Sequence, residues 1–173
     1  MTFVLARLLV VLAILFILAY FLMVVIVPEN SVFIQERLGR YTRTLNPGVY
    51  FQVPIIEKIA FRFTQKEQIR IIKELVCTAA NGSKVYIDAI FIFQIEDPVK
   101  AAYTTENYIE SVLIETENSI ITEIQNYLPE EIIPKKYGIN QSIVKNTGEI
   151  CKNFGLKIIR FEIQQMKRDA KIT

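Results

Sequence analysis

The chain opens on an apolar run that has no counterpart later. From Leu8 to Val27 it reads LLVVLAILFILAYFLMVVIV, with sixteen of twenty positions Leu, Ile, Val or Phe and no charged residue. Twenty helical residues at about 1.5 Å each cover about 30 Å, the hydrocarbon thickness of a bilayer. At about −0.3 to −0.6 kcal/mol per such residue, the run favours the membrane by roughly 5–10 kcal/mol. No Pro or Gly interrupts it, and Pro28 is expected to end it at the water boundary. The pattern predicts a membrane-spanning helix over Leu8–Val27, with Leu8, Ile14, Ile17 and Val27 inside the span. A cleaved signal peptide needs a shorter core and a small residue at its cleavage site. Val25-Ile26-Val27 offers none, and a re-entrant hairpin would turn at Pro or Gly. Only Arg7 precedes the run, whereas Arg37, Arg40 and Arg43 follow it, so the positive-inside bias favours a cytoplasmic C-terminal part.

After Pro28 the periodicity changes to two. Val32-Phe33-Ile34 begins a strand. Asn46-Pro47-Gly48 is a turn, because Pro sets φ at one position and Gly accepts φ > 0 at the next. Val49–Val53 reads as a strand closed by Pro54, and Ile59–Phe63 alternates with Arg62 outward. Ile69–Cys77 is a further strand candidate. Asn81-Gly82 is a hairpin signal leading into Val85–Ile95, VYIDAIFIFQI. Both faces of that segment are largely apolar, which predicts a central strand covered on both sides.

Helical spacing follows. Asp97-Pro98 reads as an N-cap with proline at the first helical position, opening a short helix over Val99–Tyr103. Asn107–Leu128 reads as a longer helix, with Ile109, Val112, Leu113, Ile120, Ile124 and Leu128 at core spacings. Pro129 and Pro134 break the chain. A third helix is expected over Gln141–Phe154, capped by Gly155. Leu156–Gln164 returns to strand. The resulting division is an anchor over 1–27, a folded domain over 28–164 and a polar tail over 165–173.

Composition narrows the chemistry. The 173 residues carry a net charge of +2, which excludes the strong basic field of a nucleic-acid binder. With no histidine, Ser-His and Cys-His pairs and His-ligated metal sites are excluded. Cys77 and Cys151 make no CxxC and read as buried small apolar side chains. Charge is segregated: net +4 over Glu29–Lys73, −8 over Glu96–Glu131 and +6 over Lys135–Thr173. Basic residues beside a bilayer attract anionic headgroups at about 1 kcal/mol each. Acidic and basic layers side by side suit lateral association of subunits, with Glu110 and Glu117 on the acidic face. A solvated surface of unlike patches is the alternative.

Several segments, in order, carry a resemblance. An apolar anchor precedes VPENSVFIQERLGRYTRTLNPGVYFQVPIIEKI; then come VYIDAIFIFQIEDPVKAAY, ENYIESVLIETENSIITEI and GLKIIRFEIQ. The strongest pieces are Glu36–Tyr41, Leu45–Gly48, Asp88 in its strand and Asp97–Ala101. This arrangement resembles the SPFH or Band 7 family of stomatins, prohibitins and flotillins, nearest the stomatin branch. The resemblance implies an α+β fold: a transmembrane helix, then a curved, mainly antiparallel sheet with packed helices. It implies a membrane-bound scaffold without catalysis or cofactor. Such a scaffold self-associates with SPFH proteins, organises membrane patches and regulates partner proteases or channels. It also implies a membrane-proximal set: Arg37, Arg40, Arg43, Pro47, Gly48, Phe51, Pro54, Ile55 and Ile56. Val49, Phe51, Val53, Ile55 and Ile56 suit the bilayer interface, with ordinary core as the alternative.

The sequence departs from the family pattern in places. Relatives usually continue into a long Ala/Glu-rich coiled coil, whereas here Met166–Ile172 reads as only its first residues. That suggests a truncated member or a fragment. Gln164-Gln165 stands where Lys-Asp is usual, the loop Ala79–Ser83 lacks an acidic residue, and no cysteine beside the anchor is available for acylation. Two rival functions follow from the residues. One is a monomeric membrane adaptor binding a single partner through the acidic helix. The other is a tethered hydrolase using Ser111 or Ser119 with Glu115, Glu117 or Glu123, although Glu115 and Glu117 point about 200° apart on a helix.

Overall fold

The first helix ends where β-branched residues take over. A computed structural model of the chain describes residues 2–105 and 107–168, without the side chains of residues 2–5, 8, 18, 19, 21 and 22. Helix α1 is Thr2–Met23, about 33 Å long at 1.5 Å per residue. Val24-Val25-Ile26-Val27 is strand β1 (Val24–Val27), not the last turn of the helix. Four successive β-branched side chains are stiff at χ1 and suit a pleated surface. The Gln52 amide donates to the Met23 carbonyl at 2.7 Å and pins the junction. The expected span over Leu8–Val27 is therefore corrected at its C-terminal end. Ile14 and Ile17 are exposed helix positions, Val27 is buried in a strand, and the Leu8 side chain lies outside the described residues. Among the described residues no helix is long and apolar enough to cross a membrane.

The chain forms two compact units, divided between Thr64 and Gln65. In the first, α1 and β1 are followed by β2 (Ser31–Arg37), β3 (Arg40–Leu45), β4 (Gly48–Phe51) and β5 (Glu57–Thr64). β1 pairs with β4, and β3-β2-β5 make a second sheet; every pairing is antiparallel. The β2–β3 hairpin turns at Leu38-Gly39 with φ of 51° and 78°, the conformation of a two-residue primed turn. Val27, Phe33 and Leu45 form the core, with Val25, Tyr50 and Ile59 packed against them.

The second unit contains β6 (Gln68–Thr78), β7 (Lys84–Ile95), α2 (Pro98–Tyr103), α3 (Tyr108–Ile124), α4 (Pro129–Ile132), α5 (Lys136–Asn153) and β8 (Leu156–Arg168). Its antiparallel sheet runs β6-β7-β8, with β7 central as the pattern predicts. Val85, Ile87, Ala89, Phe91, Phe93 and Ile95 are fully buried on one face. Tyr86, Asp88, Ile90, Ile92 and Gln94 on the other are only half-buried, so the cover expected on both sides exists on one. Asp97 caps α2, its Oδ1 accepting from the Val99 and Lys100 amides at 3.1 Å each. The buried faces of α3 (Val112, Thr116, Ile120, Ile124) and α5 (Ile139, Ile143, Thr147, Cys151) each recur every four residues.

The fold is α+β with antiparallel sheets and helices. Instead of one curved sheet, the strands divide among three small ones. The expected helix ends shift as well. α3 stops at Ile124 and leaves Leu128 exposed, while α5 starts five residues before Gln141. The tail expected to begin a helix is strand through Arg168, because Gln165 to Arg168 pair with Asp88 to Val85 of β7. Residues 169–173 lie outside the described residues.

Candidate functional site

Register in the β1–β4 ribbon sorts its side chains by face. Ile26 lies opposite Val49, and Val24 opposite Phe51. Directly opposed residues share a face in an antiparallel pair, so these four make one apolar face. Val25, Val27 and Tyr50 point the other way into the core. Ile26, Val49 and Phe51 are exposed, Phe51 by 60%. The Phe51 ring meets Tyr20 of α1 with centroids 6.1 Å apart, so the apolar face continues onto the helix. The loop after β4 adds Val53, Ile55 and Ile56, all exposed. Ile55 is fully exposed at φ 81°. A β-branched residue there is a genuine outlier, costing about 1–3 kcal/mol.

A buried polar relay holds this loop. Glu57 is buried at the start of β5. Its Oε2 accepts from the Val53 amide at 2.9 Å and from Gln35 Nε2 at 3.0 Å, and its Oε1 accepts from Arg37 Nε at 3.1 Å and an Arg37 Nη at 2.5 Å. Gln35 Oε1 accepts from Arg43 Nε at 2.6 Å, and another Arg43 nitrogen donates to the Phe51 carbonyl at 3.0 Å. The relay therefore clasps the loop between Phe51 and Glu57. The Val53 amide, then the Arg37 side chain, hold the Glu57 carboxyl below the usual carboxylate range. Lys58 pairs with Glu36 at 3.2 Å, and the Arg62 guanidinium lies 5.2 Å from the Phe33 ring centroid.

The SPFH domain / Band 7 family model matches residues 25–173, the greater part of the chain. The chain belongs to the SPFH domain / Band 7 family. Its curated relatives place it in the stomatin branch. It is 24% identical over 143 residues to human (Homo sapiens) stomatin-like protein 2, mitochondrial, covering 83% of this chain and 40% of that protein. It is 25% identical over 146 residues to the stomatin-like protein stl-1 of Caenorhabditis elegans, covering 84% of this chain and 45% of that one. An uncharacterised Schizosaccharomyces pombe protein is 26% identical over 141 residues, or 82% of this chain and 40% of its own. The chain thus spans less than half the length of these relatives.

Within this Band 7 domain the expected site residues separate by role. Phe51, Ile55 and Ile56 lie on the exposed apolar surface, with Pro54 half-buried between them. Pro47 and Gly48 form the exposed turn into β4. Arg37 and Arg43, expected as membrane-proximal cations, are engaged in the relay. Arg40 is exposed at the start of β3. The sequence reading missed Gln35 and Glu57. The signal was available: Glu57 is the only acid between Asn46 and Phe63.

In the second unit, Glu110 is exposed and Glu117 half-buried on α3, and Glu110 accepts from Asn107 Nδ2 at 2.5 Å. The serines weighed as nucleophiles bond to their own helix. Ser111 Oγ donates to the Asn107 carbonyl at 3.2 Å and Ser119 Oγ to the Glu115 carbonyl at 2.9 Å. Cys77 and Cys151 are buried, which pushes their thiols up to about 11 and about 12.

Proposed function

We propose that this protein is a non-enzymatic scaffold anchored in a bilayer by α1, whose apolar ribbon and loop rest in the lipid interface. The observation that carries the reading is the exposed face of Ile26, Val49 and Phe51, joined to α1 through the Phe51–Tyr20 contact. SPFH and stomatin-like proteins are generally non-enzymatic membrane scaffolds. The support for the anchor is the uncharged apolar run Leu8–Val27 of the sequence, twenty residues long, with Arg7 just before it to extend its guanidinium to the headgroups. Ribbon and loop side chains entering the interface add area to that anchor. The scaffold self-associates with identical or related SPFH chains and organises membrane patches or regulates partner membrane proteins such as proteases or channels. The segregated charge supports lateral association. The C-terminal part lies on the cytoplasmic side, from the arginine asymmetry around α1.

Carbonate extraction tests the anchor. The wild-type chain should stay in the membrane pellet, and I14K/I17K should move to the supernatant. Wild-type protein released by carbonate would overturn the reading.

A further inference from the structure

Opposite edges of the second unit carry complementary surfaces. α3 and α5 pack against each other, α3 also on β6 and α5 on β8. Because β6 and β8 are the two edges of the β6-β7-β8 sheet, the helices stand over opposite edges. On the α5–β8 side is a groove of about 440 Å³, lined by Lys136, Tyr137, Val144, Lys145, Ile159 and Arg160. Its apolar part is open: Tyr137 is 75% exposed, and Ile159 is exposed at a bulge in β8. Glu162, the acid in this lining, is shared by Lys136 at 3.9 Å and by Arg160. The groove therefore keeps a net positive rim around an apolar floor.

The α3 edge presents the inverse. Glu110, Ile114 and Glu117 follow one another at i, i+4 and i+7, a single stripe down the helix. Ile114 is 51% exposed between the two carboxylates. Among the described residues none of Glu110, Glu115, Glu117 and Glu123 joins an ion pair. An apolar knob flanked by two acids matches an apolar groove flanked by basic residues.

We propose that the α5–β8 groove receives the Glu110–Ile114–Glu117 stripe of α3 from a second copy of this chain. Ile114 enters between Tyr137, Val144 and Ile159, and the two glutamates meet Lys136, Lys145 and Arg160. Donor and acceptor stand over opposite edges, so each copy can give its stripe to one neighbour and receive that of another. The contact is heterologous and propagates head to tail. This inference rests on the self-association reading and specifies its surfaces.

Charge exchange on the full chain in mild detergent tests it, with mass measured by light scattering. Wild type should exceed a dimer. E110K/E117K alone and K145E/R160E alone should each fall to monomer, and mixing the two variants should restore the large species. Restoration also shows that both variants are folded. If wild type is itself monomeric, the self-association reading fails and this contact with it. If wild type is large but either reversal leaves its mass unchanged, or mixing restores nothing, self-association survives and this interface is wrong. A wild-type species capped at a dimer overturns the head-to-tail geometry.

Discussion

Glu57 and Val53 hold each other twice. The Val53 amide donates to the Glu57 carboxylate, and the Glu57 amide donates to the Val53 carbonyl, both at 2.9 Å. This closed ring sets the ends of the loop that presents Ile55 and Ile56. Arg37 and Gln35 complete the shell around the carboxylate.

Replacing Glu57 with Gln should therefore loosen the loop and lower the thermal midpoint by several degrees at neutral pH. The folded-state pKa is depressed, so the carboxylate's stabilisation is present above the ordinary carboxylate range. It is lost as pH falls through the lowered value. The gap between wild-type and E57Q melting temperatures should close over that acidic window. A gap that stays constant with pH would remove the charge from the explanation.

Ile55 separates stability from membrane contact. Glycine relieves its left-handed backbone, so I55G should leave the fold unchanged or stabilise it by up to about 2 kcal/mol. Losing a side chain that buries about 1.5–3 kcal/mol in lipid should weaken liposome binding of a chain lacking α1 roughly 10–100-fold. Unfolding midpoints and co-sedimentation report the two effects. Equal binding by I55G would take the loop tip out of the interface.

Gly155 follows α5 with φ 72°, and a Cβ there would sit 2.2 Å from the Asp97 carbonyl oxygen. That same residue's carbonyl accepts from the Glu96 and Asp97 amides, both at 2.9 Å. G155A should cost about 2 kcal/mol or more, from the left-handed backbone and the clash together. Urea unfolding followed by circular dichroism measures it. A cost below about 0.5 kcal/mol would mean that the Asp97 turn moves aside freely.

Thr147 carries a buried hydroxyl with no hydrogen-bond partner among the described residues. Valine has the same shape without the polar atom, so T147V should be neutral or stabilising by about 1 kcal/mol. A clear loss of stability in the same assay would point to a bound water at this hydroxyl.

Much of the second unit was legible because its signals are local. Alternation along Val85–Ile95 and the Asp97-Pro98 cap both depend on neighbours in sequence. Thr116 and Thr147 were harder to see, because a polar residue on a helix reads as exposed. Thr116 is buried with its hydroxyl donating to the Val112 carbonyl at 2.7 Å. The basic set near the apolar loop was legible as charge but not as structure. Only the fold showed that Arg37 and Arg43, although exposed, are tied to Glu57 and Gln35.

Sequence alone determined the apolar leading segment, the succession of strands, then helices, then a last strand, and the family, since each rests on residue type and spacing; β1, β3 and α4 were not legible in it. Tertiary structure decided where the leading helix stops. Val24–Val27 is apolar enough for either state, and pairing with Gly48–Phe51, more than twenty residues away, makes it strand. It also decided that Ile26, Val49 and Phe51 share one open face, because register between distant strands is set by hydrogen bonding and packing rather than by the composition of either strand.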